Sequence, residues 1–178
     1  GTNSNVPFSH IKNSSYAPIG TSSLFVGTQS GKLYRVINAH TNPVSTEIGS
    51  SEFPTANISC IALGNSEDEL LVTFSNYGIS SVWLTMDGGD SWIEKEADLP
   101  DMPIRWAIFH PENNGQALLA TEIGIWSTNT LQEESTLWEP NSNGMANVRV
   151  DMLKLRKGDN VVLAATHGRG LFTAEFPL

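Results

Sequence analysis

The stretch Thr85-Met86-Asp87-Gly88-Gly89-Asp90-Ser91-Trp92 decides how the rest of the chain is read. Gly88 and Gly89 tolerate positive φ, and the Asp87 carboxylate can fold back onto the N–H groups of the turn. Ser91 adds a second local hydrogen bond, and Trp92 opens the next segment as a large apolar anchor. Val82-Trp83-Leu84 before the turn and Trp92-Ile93 after it are strand-like, so the spacing predicts a tight hairpin between two paired strands.

Working outward, one unit recurs four times: two apolar residues, a small residue or Thr, a short turn with Gly, then an apolar–aromatic pair. The copies are Phe25-Val26-Gly27-Thr28 to Leu33-Tyr34, Leu71-Val72-Thr73 to Val82-Trp83, Leu119-Ala120-Thr121 to Ile125-Trp126, and Ala164-Ala165-Thr166 to Leu171-Phe172. The threonines lie 45, 48 and 45 residues apart. A period in the mid-forties with several strands per period marks propeller blades. Inner strands are expected at 58–63, 105–109 and 148–155, and a weaker one near 14–19. Outer strands are expected at 44–48, 92–96 and 137–139. The last copy ends after its third strand, and the extended segment 3–11 is a candidate to complete it, because an unpaired sheet edge invites a partner. Helix-period segments are nearly absent.

The Thr85–Trp92 stretch resembles the Asp box, S/T-x-D-x-G-x-S/T-W, of sialidase-type and related propellers, through Thr85, Asp87, Gly89, Ser91 and Trp92. In that family the box is a structural turn on the rim. Looser similarity over Leu24–Phe172 is to secreted bacterial BNR-repeat proteins, among them xyloglucanase-like glycoside hydrolases and sortilin-type propellers. It is carried by Phe25–Thr28, His110-Pro111-Glu112-Asn113 and Ala165–Phe172. The expected fold is therefore all-β: a β-propeller of about four four-stranded blades, or the C-terminal part of a larger one. A single domain spans 1–178, with blades near 10–50, 57–97, 104–140 and 147–178. The resemblance implies a secreted, periplasmic or cell-surface location.

Composition narrows the function classes. Hydrophobic residues are 39% and charged residues 16%, a globular, turn-rich balance. A formal charge of −9 argues against nucleic acid and anionic membrane surfaces, and no apolar run approaches a membrane-spanning length. Cys60 is alone, so no disulfide framework forms, and it reads as a small buried residue. His10, His40, His110 and His167 fall in separate turns without ligand spacing, so neither a metal nor a cofactor is expected.

In a propeller the turns between second and third strands share one face with the blade connectors, opposite the Asp box. The turns carry Gln29 and Ser30, Asn76 and Tyr77, Glu122, and His167 with Arg169; the connectors carry Glu52, Asp98, Asp101, Asn141 and Asn143. From these the candidate ligand-binding set is Glu122, His167, Arg169, Tyr77, Trp106 and Asp101. Trp106 is included as a stacking platform at the channel mouth. His167-Gly168-Arg169-Gly170 stands out, since flanking glycines admit a ligand and Arg presents a planar fork. The competing reading pairs Arg169 with Glu122. The five tryptophans are otherwise core between blades.

Catalytic residues are not identifiable. Glycoside hydrolysis needs two carboxylates about 5–9.5 Å apart; Glu52, Asp101, Glu122 and Asp151 are candidates that spacing alone does not test. A sialidase is disfavoured: Pro103-Ile104-Arg105 is not the family's Arg-Ile-Pro motif, and only five arginines exist. The leading expectation is a non-catalytic module binding a glycan or a protein. The alternatives are a glycoside hydrolase needing blades outside this chain, and a structural module that homodimerises through an open blade edge.

Overall fold

In a computed structural model, residues 7–142 and 144–176 are described; the chain-end residues 1–6, 177 and 178 and the connector residue Asn143 lie outside them. Fifteen strands form four antiparallel sheets, and no helix occurs among the described residues. Sheet one is β1 (Phe8–Asn13), β2 (Leu24–Thr28), β3 (Leu33–Ile37) and β4 (Val44–Glu47), hydrogen-bonded in chain order. Sheet two repeats this with β5 (Ile58–Leu63), β6 (Leu70–Phe74), β7 (Val82–Thr85) and β8 (Ile93–Glu94). Sheet three is β9 (Ile104–Phe109), β10 (Ala117–Thr121), β11 (Gly124–Thr128) and β12 (Glu139–Pro140). Sheet four has three strands, β13 (Val150–Arg156), β14 (Val161–Thr166) and β15 (Gly170–Glu175). These are the blades of a propeller.

Blade one departs from expectation. Its inner strand is Phe8–Asn13, paired with β2 from Phe8↔Thr28 to Asn13↔Leu24, and 14–19 is turn. Residues 7–11 therefore do not complete the last blade, Pro7 O accepting from Gln29 N of blade one (3.2 Å); the remainder of the proposed closing segment, 3–6, lies outside the described residues. The aromatic pattern also aligns differently from the threonine pattern. Each inner strand carries a one-residue bulge, so the residues opposite its first position are Thr28, Phe74, Thr121 and Thr166. Thr73 lies one place earlier, level with Gly27, Ala120 and Ala165. The offset lies in blade two itself, where Phe74 takes the place that threonine holds in the other blades; the bulges stand at the same place in all four.

Three hydrophobic layers hold successive blades together. Phe25 and Leu33 of blade one meet Ile58, Ile61, Val72 and Phe74 of blade two. Leu71, Val82 and Leu84 meet Ile104, Leu119 and Trp138, and Leu118 and Ala120 meet Val150, Leu153, Val162 and Ala164. Inner strands pack β1 on β5, β5 on β9 and β9 on β13, and among the described residues no comparable packing brings β13 back to β1. The molecule is an open arc. Its end faces keep the residues that are buried elsewhere in the repeat: Phe8 and Ile11 are 67% and 54% exposed, and Leu171 is 67% exposed.

At the rim the wedge between blades is filled by tryptophan. Trp92 Nε1 donates to Ile48 O (2.8 Å) and Trp138 Nε1 to Lys95 O (2.8 Å), each tying an outer strand to the preceding one. The Thr85–Trp92 hairpin aims Trp92. Asp87 Oδ1 accepts from Thr85 Oγ1 (2.7 Å) and Ser91 N (2.9 Å), and Asp87 Oδ2 accepts from Ser91 Oγ (2.5 Å). Gly88 and Gly89 have φ of +75° and +99°, and a Cβ at Gly89 would sit 2.8 Å from Ile48 O, so the turn needs glycine twice over.

Two predictions follow from the rim. Trp138 is 2% exposed, so Trp138→Ala should cost about 3–5 kcal/mol in urea unfolding, with the Lys95 carbonyl left without its donor. The hydrogen bonds from Ser91 Oγ, Ser91 N and Thr85 Oγ1, in that order of weight, hold the Asp87 carboxyl down at about 2. A depressed carboxylate stabilises the fold above its ordinary value near 3.8 and loses that contribution as pH falls toward 2. Asp87→Asn should lower Tm at neutral pH, and the gap from the parent should close between pH 4 and 2.

Candidate functional site

Up-and-down pairing puts the four turns between second and third strands at one end of the arc, called the top face here, with the blade connectors. The Thr85–Trp92 hairpin and the inner-strand turns lie at the other end. Three of the four turns are locked by the threonine that opens them: Thr28 Oγ1 accepts from Lys32 N (2.9 Å), Thr121 Oγ1 donates to Gly124 O (2.9 Å), and Thr166 Oγ1 donates to Gly170 O (2.7 Å). Those three tips are thus rigid pedestals. The four tips present Tyr77, 64% exposed, Ile123, 45% exposed, and the exposed pair His167 and Arg169.

The bulges place further charged groups under these tips, a feature that the sequence pattern did not reveal. Ser9, Ser59, Arg105 and Asp151 are the extra residues of the four inner strands, skipped by the pairing with the second strands. Arg105 reaches its own blade's tip and forms a two-pronged pair with Glu122, Nε donating to Oε1 at 2.7 Å. The pairing of Arg169 with Glu122 does not form; Arg105 takes that carboxylate because both groups stand on one blade. Asp151 accepts from Arg149 Nε (2.5 Å) and faces His167 Nδ1 (3.4 Å). Arg169 makes no ion pair among the described residues.

Other carboxylates near the top are staples. Asp101 Oδ1 accepts from Gly78 N (2.6 Å), fixing the turn beside Tyr77, and Asp98 Oδ1 accepts from Trp138 N (2.9 Å). Glu96 Oε2 accepts from Ser81 N. Burial, reinforced by the nearby charges of Glu94 and Asp101, holds the Glu96 carboxyl above the ordinary glutamate value, and the Ser81 N–H only partly offsets it. Trp106 is not an open platform: it is half-buried, packs beside the blade-four layer and stacks edge-on against His10 at 5.1 Å. Cys60 is buried with its thiol donating to Ala107 O (3.6 Å), and burial pushes its pKa up to about 12, which makes it inert.

The concave side of the arc holds a cavity of about 180 Å³ lined by all four inner strands. Lys12, Lys154 and Lys157 meet there beside His110 and Asn114, and none of its lining residues is a carboxylate. In a chain with 19 acidic and 10 basic side chains this clustering is a product of topology, invisible in the linear sequence. Among the described residues no cluster of three His, Cys, Asp or Glu could hold a metal ion.

No family model matches this chain, and neither does any curated protein. Solved structures do match, β-propellers among them. The β-propeller domain of Cps50 (Swd1) from Myceliophteria thermophila aligns with a TM-score of 0.63 at 15% identity, over 86% of this chain and 48% of that one. The GH74 xyloglucanase from Xanthomonas campestris gives 0.61 at 16% identity, over 85% and 26%. An ancestral GH74 enzyme gives 0.62 at 15%, over 89% and 22%. At these identities the likeness establishes the fold, and the chain spans less than half the length of each of these structures.

Glu96 supplies the test of whether its charge is functional or merely tolerated. A carboxyl raised above its ordinary value near 4.5 costs stability as pH rises through its folded pKa, a cost absent at lower pH. Glu96→Gln keeps an acceptor for Ser81 N and removes that cost. Its Tm should match the parent's near pH 4 and equal or exceed it at pH 7.

Proposed function

We propose that this chain is a non-catalytic binding module of Asp-box (BNR-repeat) type, part of a secreted carbohydrate-active or surface protein. Its ligand is a glycan or a protein met by the top-face tips. The observation that carries this reading is the fate of most of the candidate carboxylates there, with Glu52 left exposed. Glu96, Asp98, Asp101, Glu122 and Asp151 each hold a backbone N–H or an arginine of the same region. General acid–base work needs a carboxylate within reach of substrate and of the right protonation. Groups spent as staples do not meet that need, and the concave cavity holds no carboxylate.

What the top face offers instead is recognition. Tyr77 gives a flat amphipathic ring on a glycine-backed tip, Ile123 an apolar contact, and Arg169 an uncommitted planar donor beside His167. Loop residues on a rigid β scaffold are where binding function concentrates. The hydrolase reading keeps one point in its favour, the raised Glu96 carboxyl close to Asp101; the xyloglucanase and the ancestral GH74 enzyme share this arc with about a quarter of their own length.

A glycan array probed with the parent and with Tyr77→Ala and Arg169→Ala variants tests the proposal. A parent hit weakened about tenfold (about 1.4 kcal/mol) by either variant, with no hydrolysis of the bound glycan, is the expected result. Turnover of xyloglucan that is lost in Glu96→Gln would overturn it in favour of the enzyme.

A further inference from the structure

Among the described residues blade four has three strands where the others have four, and the other blades define what a fourth would be. Ile48, Lys95 and Asn141 occupy one position in the repeat. The N–H of each closes its blade on the first residue of the apolar–aromatic pair: Ile48 N to Leu33 O (2.9 Å), Lys95 N to Val82 O (2.8 Å), Asn141 N to Ile125 O (2.7 Å). Three residues earlier stand Ser45, Trp92 and Trp138. Each of these two indoles donates to the closing residue of the preceding blade, Ile48 O or Lys95 O, both at 2.8 Å. The next acceptor in the series is Asn141 O.

Asn141 lines a cavity of about 250 Å³ in the wedge between blades three and four, with Leu118, Ile125, Ala164 and Phe172 in its walls. On β15, Gly170, Phe172 and Ala174 lie in the ladder with β14 opposite Thr166, Ala164 and Val162. Leu171 holds the place of Leu33, Val82 and Ile125, so by the same pattern its C=O faces the free edge. Empty apolar space, an acceptor position and a free strand edge therefore coincide.

The geometry points to this wedge as a docking site for an extended strand that carries a tryptophan, adds to β15 in antiparallel register, and seats its indole against Asn141. The residue three places after that tryptophan donates its N–H to Leu171 O. The strand comes from polypeptide outside these 178 residues. All five tryptophans already sit in blades one to three or their wedges, and the sequence of residues 1–6 contains no aromatic.

The chain's own second-blade strand is the probe: a labelled peptide of the sequence of residues 89–98, titrated by fluorescence anisotropy. Binding should weaken at least tenfold when the peptide's tryptophan is replaced by alanine, a comparison that needs no change to the protein. Hydrogen exchange should slow at the Leu171 and Thr173 amides when the peptide is bound. In the protein, Ala174→Trp fills the wedge and should abolish binding while leaving Tm at or above the parent value. Equal binding of both peptides, or none up to millimolar concentration, overturns the proposal. So does a chain that is dimeric by light scattering and becomes monomeric on Ala174→Trp, since a second copy would then be the occupant.

Discussion

A buried indole N–H that is left without an acceptor costs stability, and for Trp92 and Trp138 the acceptor is a carbonyl of the neighbouring blade. Leaving such a donor unpaired costs about 1–3 kcal/mol, comparable with what the ring gains by leaving water. Trp92 and Trp138 meet the requirement at Ile48 O and Lys95 O, and in doing so set the separation of the outer strands. The inner strands need no such device. They are close enough to pack side chain on side chain, whereas four-stranded sheets radiating from a common axis diverge toward the rim. The hairpin that delivers Trp92, with its two positive-φ glycines, exists to serve that contact.

The acidity of the chain follows a similar economy. Several carboxylates act as local acceptors for backbone N–H groups: Asp87 in its hairpin, Asp98 under Trp138, Asp101 under the Tyr77 turn. A carboxylate oxygen makes a charge-assisted bond to an N–H stronger than a neutral acceptor would, so short blades gain rigid turns without long side chains. The consequence is functional. A face on which several acids are bound down can position its exposed groups accurately, while Glu52 stays exposed on a connector there.

Sequence pattern carried the repeat and the all-β class because both depend on local properties, namely turn residues and alternation of apolar side chains. The pairs Leu33-Tyr34, Val82-Trp83, Ile125-Trp126 and Leu171-Phe172 align in the structure as they do in the sequence. What failed were features set by register. In blade two Phe74 stands where the other blades have threonine, so Thr73 misled the alignment, and the bulges aimed Arg105 and Asp151 at the top face, a placement that alternation alone does not give. Phe8–Asn13 was hard to recognise as an inner strand because its apolar residues Phe8 and Ile11 face outward, exposed at the end of the arc. Arg169 and Arg105 are equally basic in the sequence; only the fold decides which one meets Glu122.

The open edge and the top face are mechanically linked. His167 and Arg169 sit on the turn that joins β14 to β15, and among the described residues β15 is held from one side only. A strand held by a single ladder opens locally at less cost than one held by two. Anything that pairs with β15 also restrains the turn at its start, so strand docking and ligand binding at that turn draw on the same ordering entropy. Each then favours the other, by an amount that is equal in both directions. Blades one to three, whose outer strands are in place, should hold Tyr77 and Ile123 ready regardless, which leaves the fourth tip as the adjustable part of the surface.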